Sequence, residues 1–87
     1  MNYYTYILFS KKDRRLYVGC SNDVQKRFLR HVLGNVPATK HRRPLALIYS
    51  EEFSLKAEAF KRERFLKSLR GAREKKKILN EYLAKEQ

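Results

Sequence analysis

Apolar residues come first as two short runs and later at helical spacing. Tyr3 to Phe9, YYTYILF, is built of aromatic, β-branched and aliphatic residues and predicts a strand. The polar SKKDRR from Ser10 to Arg15 reads as a turn, and Leu16 to Cys20 predicts a second strand. So short a connection makes the pair an antiparallel hairpin. Ser21 or Asn22 is placed to cap a helix running to about Leu33, with Asp23 in its first turn and Gly34 set to end it. Val36 to Arg43 is expected as a loop, with Pro37 and Pro44 at its edges. Leu45 to Tyr49 predicts a third strand, extending toward Glu52 or Phe53. Ser54 caps a helix over about Leu55 to Leu69, Gly71 breaks it, and Ala72 to Lys85 forms the last helix. The order is ββαβαα. It predicts an α+β fold, a three-stranded antiparallel sheet with flanking helices, in a single domain over residues 1–87.

Helical projection shows which polar residues lie near an apolar face. In the first helix Val24, Phe28 and Val32 make one stripe, widened by Leu29. Arg27 and His31 lie one turn apart at its margin. They could look into a cleft, or be an arginine snorkelling at the core edge and a histidine satisfied locally. In the second helix Leu55, Ala59, Leu66 and Leu69 form the stripe and Phe60 extends it. Glu63 falls inside that arc. A carboxylate there is costly unless it is paired or binds a metal. Arg62 and Lys67 are near enough to pair with it. If a divalent cation binds, Glu63 is the leading ligand, and one carboxylate suits a hydrated Mg²⁺ shared with substrate phosphates. Tyr4 and Tyr6 share one strand face while Tyr3 takes the other. In the last helix Ile78, Leu79, Tyr82 and Leu83 share one side, as expected of a packing helix.

Charge narrows the partner. Twenty-one Lys and Arg against nine Asp and Glu give a net charge of +12, which favours a polyanion, nucleic acid or an anionic membrane surface. The basic residues are spread along the whole chain rather than gathered on one amphipathic helix, which argues against the membrane. The KHRR cluster from Lys40 to Arg43 suits a solvated loop or a phosphate contact. The single cysteine, Cys20, excludes an internal disulfide, and no Cys/His array has zinc spacing. With no apolar run approaching bilayer length, a cytoplasmic setting is expected.

Assembled in order, these residues resemble the GIY-YIG nuclease superfamily, in particular its small stand-alone bacterial members. The first signature stands as Tyr4-Thr5-Tyr6 and the second as Tyr17-Val18-Gly19. The R-x-x-x-H element follows as Arg27 and His31, a T-x-x-x-R-P segment lies within Ala38 to Tyr49, and the helix glutamate is Glu63. The match spans residues 3 to about 79. The first signature carries Tyr4 where the family name has glycine, but keeps its functional tyrosine as Tyr6. The resemblance implies a metal-dependent endonuclease acting on DNA, in repair or recombination, and leaving a 5′-phosphate and a 3′-hydroxyl. It implies Glu63 as ligand of Mg²⁺ (or Mn²⁺), Arg27 as phosphate clamp, Tyr17 as general base, and Tyr6 and His31 orienting the attacking water and relaying protons. Lys40, Arg42, Arg43 and Lys67 are then expected to meet the nucleic acid, with a protein partner supplying specificity. A non-catalytic nucleic-acid-binding module, or a basic interaction subunit of a larger complex, remains the alternative.

Overall fold

The computed structural model describes residues 2–86. Its elements are β1 (Tyr3–Ser10), β2 (Leu16–Ser21), α1 (Val24–Val32), β3 (Leu45–Phe53), α2 (Lys56–Lys67) and α3 (Ala72–Lys85), in the expected ββαβαα order. Short 3-10 turns at Lys40–Arg42 and Leu69–Gly71 interrupt the loops before β3 and α3.

The sheet is antiparallel throughout with strand order β2-β1-β3, so β1 is central and both other strands are edges. Alternation along β1 divides its side chains between two cores. Ile7 joins Val18, Leu66 and Ile78 on the face covered by α2 and α3. Tyr6 and Leu8 join Val24 on the face covered by α1, with Tyr17, Phe28, Leu45 and Leu47 packed around them. Between Ile7 and Leu8 the register against β3 slips by one residue, pairing Ile7 with Tyr49 but Leu8 with Leu47. This bulge lets Ile48 and Tyr49 both serve the α2/α3 core while Leu45 and Leu47 serve the other. Ile7, Leu8 and Leu66 are sealed from solvent, each contributing about 1.5–3 kcal/mol of burial.

The helix faces differ from the projected stripes. In α1, Val24 and His31 are the buried residues, while Leu29 and Val32 are 55% and 43% exposed. The buried arc is therefore rotated toward the polar margin. It can be, because both ring nitrogens of His31 find partners there, which removes the usual cost of burying an imidazole. The helix also starts later: Asp23, not Ser21 or Asn22, is the N-cap, accepting from the Lys26 amide. In α2 only Ala59 and Leu66 of the projected stripe are buried. Leu55 is the extended N-cap residue in place of Ser54, and Leu55, Phe60 and Leu69 are exposed. The break after α2 comes at Ser68, three residues before Gly71, and turns Leu69 outward to 95% exposure. Gly71 is itself buried, and the position takes glycine because a Cβ there would lie 2.2 Å from the Phe65 carbonyl oxygen.

Candidate active site

The site starts from a glycine. Tyr6 in β1 is paired with Gly19 in β2, and a Cβ on Gly19 would stand 2.6 Å from both Cζ and the hydroxyl oxygen of Tyr6. The phenol therefore lies across the space a side chain would take. Asp23 fixes where α1 begins, and that start sets Arg27 one turn in and His31 two turns in.

His31 is wholly buried, with Nε2 2.9 Å from the Tyr6 hydroxyl and Nδ1 2.7 Å from Thr39 Oγ1. Burial above all, then the charges of Arg27 and Arg30, push its pKa down to about 4. The imidazole is neutral at pH 7, with one donor and one acceptor nitrogen. Tyr17 lies edge-on to it, ring centroids 5.2 Å apart, and 6.5 Å from the Tyr6 ring. Burial raises the Tyr6 pKa, and the neighbouring Arg27 guanidinium works against that rise. The Arg27 Nε is buried without a hydrogen-bond partner.

Glu63 arrives from the other side of the sheet. The Thr5 hydroxyl donates to the Ala59 carbonyl at 2.7 Å and the Cys20 thiol donates to the same oxygen at 3.2 Å, tying α2 to β1 and β2. One turn further along α2, Glu63 is 20% exposed and pairs with Lys67 at 3.1 Å. Of the two cations near it in sequence, Lys67 is its partner, whereas Arg62 binds Glu51 and Glu74. Lys67 Nζ also stands 5.9 Å from the Tyr17 ring centroid, so Glu63 and Tyr17 meet through it at the β2 edge. The Glu63 charge reaches Tyr6, where it adds to the upward pKa shift. All five residues implied for catalysis, Tyr6, Tyr17, Arg27, His31 and Glu63, thus lie around the β2 edge of the sheet, Tyr6, Arg27 and His31 on one face and Glu63 on the other. The i,i+4 pair Glu63–Lys67 has its lysine half out in water, where such a pair is worth about 1 kcal/mol or less, so it opens readily to a cation or a phosphate.

The basic loop is arranged differently from its sequence reading. Arg42 binds Asp13 at 2.7 Å, and Arg43 donates to the carbonyls of Lys40 and Val32. Both guanidinium groups hold the protein together, while Lys40 is exposed. Sequence reasoning missed Thr39, which has no charge and lies in an otherwise solvated stretch. Its one signal was its place in the T-x-x-x-R-P segment.

The family of the GIY-YIG catalytic domain matches residues 2–77. The chain belongs to this GIY-YIG family. Membership brings with it a nuclease-type function on nucleic acid. Among GIY-YIG relatives, the chain is 42% identical over 81 residues to a UPF0213 protein of Staphylococcus saprophyticus, covering 91% of this chain and 95% of that one. It is 40% identical over 78 residues to the UPF0213 protein YazA of Bacillus subtilis, covering 88% and 76%. The solution NMR structure of a UPF0213 protein from Bacillus halodurans superposes with a TM-score of 0.54 at 34% identity, covering 92% of this chain and 84% of that one. No helix among the described residues of this GIY-YIG chain is long and apolar enough to cross a membrane.

Proposed function

We propose that this protein is an endonuclease that hydrolyses phosphodiester bonds in DNA with Mg²⁺ (or Mn²⁺), leaving a 5′-phosphate and a 3′-hydroxyl, in repair or recombination. The observation that carries the reading is the Arg27 Nε, buried beside the Tyr6 phenol with no hydrogen-bond partner. A buried donor in that state costs stability. The side chain as a whole is half-buried and lines a surface cleft with Lys26 and Arg30. A phosphate is the fitting ligand there for the rest of the guanidinium, whose fork matches phosphate in shape and charge. The net charge of +12 supports a polyanionic substrate.

The residues present fit a hard, hydrated cation. Among the described residues no three His, Cys, Asp or Glu side chains converge to cage a metal. Glu63 is the carboxylate at the site, and Mg²⁺ commonly takes one or two carboxylates and fills its remaining positions with water and phosphate oxygens. Cys20 is no thiolate ligand, since burial, partly opposed by the Thr5 hydrogen bond, pushes its pKa up to about 11. Held by Glu63, the cation would polarise the scissile phosphate and offset charge on the leaving oxygen.

The protein's own groups divide the remaining work. Arg27 clamps a phosphoryl oxygen as charge builds in the transition state. Tyr6, with a raised pKa, keeps its proton and orients the attacking water. Neutral His31 has both ring nitrogens engaged and no exposure. It acts on that water only through the Tyr6 hydroxyl it holds, a correction to the direct role expected of it. That leaves Tyr17, half-buried beside Lys67, as the general base. Lys40, Arg43 and Lys67 are the exposed cations of the expected nucleic-acid set, Arg43 being also tied to the loop carbonyls, whereas Arg42 is half-buried against Asp13. A protein partner supplies specificity beyond so small a footprint.

A panel of branched, flapped, duplex and single-stranded DNA, with RNA beside it, tests this with Mg²⁺ and Mn²⁺. Wild type should nick in a metal-dependent way, and Glu63→Ala should bind as well as wild type yet not cut. Wild type that binds each substrate and cuts none would leave the binding module. Absence of oligonucleotide affinity at low salt would leave the interaction subunit.

A further inference from the structure

Thr39 is a fully buried hydroxyl on a loop whose neighbours Lys40 and His41 are exposed. Its oxygen lies 2.7 Å from His31 Nδ1, and the opposite ring nitrogen lies 2.9 Å from the Tyr6 hydroxyl. A neutral imidazole donates at one nitrogen and accepts at the other, so the two hydroxyls must play opposite roles. The Tyr6 phenol is the more acidic of the two, with an ordinary pKa near 10. Arg27 stands close enough to its oxygen to pull its pKa down against burial, and a donor aimed at a hydroxyl oxygen makes that hydroxyl a better donor in turn. Tyr6 is also 1% exposed, and the Nε2 of His31 is the ring nitrogen beside its hydroxyl. The Tyr6 proton therefore points at Nε2, which leaves the ring proton on Nδ1, facing Thr39.

We propose that Thr39 is a positioning residue. Its hydroxyl accepts the His31 Nδ1–H, holds the imidazole with Nε2 bare toward Tyr6, and so aims the Tyr6 oxygen at Arg27 and the phosphate. The surrounding loop is latched to deliver it. Arg43 donates from Nε to the Lys40 carbonyl at 3.0 Å and from its terminal nitrogen to the Val32 carbonyl at 3.3 Å, closing the loop onto the end of α1. Gly34 makes room for this, with φ at +82° and a would-be Cβ 2.8 Å from the Arg43 guanidinium. On the other side the Arg42 carbonyl accepts the Ser10 hydroxyl at 2.6 Å, and the Arg42 side chain binds Asp13 in the hairpin turn. Two anchors thus fix the backbone that carries Thr39. Its catalytic consequence rests on the nuclease reading above, whereas the hydrogen-bond polarity does not.

The test pairs spectroscopy with kinetics on wild type, Thr39→Val and Thr39→Ser. Long-range proton–nitrogen correlation spectra report the tautomer, and the chain has only two histidines, of which His41 is exposed. Wild type and Thr39→Ser should show His31 protonated at Nδ1, and Thr39→Val should lose that single tautomer. Nicking by Thr39→Val should fall roughly tenfold in kcat with KM unchanged, the scale of one net hydrogen bond read as a rate. Thr39→Ser should restore it. A wild-type proton on Nε2, a Thr39→Val protein unchanged in tautomer and rate, or a Thr39→Ser protein as impaired as Thr39→Val would each overturn the proposal. Should wild type cut nothing, the nuclease reading falls while the tautomer comparison still decides the positioning. Should Thr39→Val not fold, wild type and Thr39→Ser decide it.

Discussion

Gly19→Ala tests the central contact of the site with a single methyl. The added carbon would lie 2.6 Å from Tyr6 Cζ and from the phenol oxygen, about 1 Å inside normal contact. Gly19 is held in the β1–β2 ladder between Val18 and Cys20, paired with Ile7 and Thr5, so its backbone has little freedom to retreat. The phenol must move, and at 1% exposure it moves against packed neighbours. Overpacking of this kind costs about 1–3 kcal/mol. Losing the Tyr6–His31 bond adds about 1–3 kcal/mol, since it strands a buried polar group. Reduced freedom of the unfolded chain returns about 0.4–1 kcal/mol. The expected net loss is about 2–4 kcal/mol, a large share of the stability of a small domain. Urea unfolding at pH 7, followed by circular dichroism, measures it. A double-mutant cycle with Tyr6→Phe sharpens the test. Phe keeps most of the clashing ring but has no hydroxyl bond to lose, so Gly19→Ala should cost about 1 kcal/mol less in that background. A loss under about 0.5 kcal/mol, or equal costs in both backgrounds, would refute the reasoning.

Stability should also follow the titration of His31. Its folded pKa of about 4 lies below the ordinary 6.5, so the unfolded chain takes up a proton first. The protein should lose about 2–3 kcal/mol as pH falls from about 6.5 toward 4, with no further loss from this group below that. Urea midpoints across that range should slope for wild type and flatten for His31→Gln; equal slopes would count against a neutral buried imidazole. The hairpin latch titrates lower, because the Arg42 hydrogen bond holds the Asp13 pKa down to about 2. Its contribution is complete above the ordinary carboxylate pKa of 3.8 and disappears as pH falls through 2. Arg42→Ala should therefore be less stable than wild type at pH 7, with the gap narrowing toward pH 2. A gap of the same size at both ends would assign Arg42 only to its contact with the Leu16 carbonyl.

The elements were legible because their signals are local. The apolar runs of β1 and β2, the polar turn between them and the amphipathic spacing of α3 each depend on near neighbours in sequence. Helix faces were less legible because distant partners decide them. The apolar spacing of Val24, Phe28 and Val32 pointed one way, yet Thr39 and Tyr6 made it favourable to bury His31 instead and leave Val32 half out. Helical period alone places Leu55 and Leu69 in the core, but α2 runs only from Lys56 to Lys67 and both lie outside it. The KHRR cluster shows the same limit for charge. Composition offers four groups to a phosphate, but Arg42 and Arg43 bond to Asp13 and to the Val32 carbonyl, partners that lie outside the cluster.

The location of the site explains why residues so far apart in sequence were needed to recognise it. Tyr6, Arg27 and His31 lie on the α1 face of the sheet, whereas α2 packs on the opposite face. Side chains from two faces cannot meet through a strand, but they can meet around one that has no neighbour beyond it. β2 is such an edge strand. On one face Gly19 leaves room for the Tyr6 phenol; on the other, Cys20 and Thr5 hold the Ala59 carbonyl and so set where Glu63 emerges. The dipeptide Gly19-Cys20 therefore serves both halves with its two alternating faces. It follows that the placement of Glu63 and that of Tyr6 depend on the register of one strand pair. A one-residue slip between β1 and β2 would exchange the faces of Gly19 and Cys20, place a thiol against the phenol, and separate the carboxylate from the arginine.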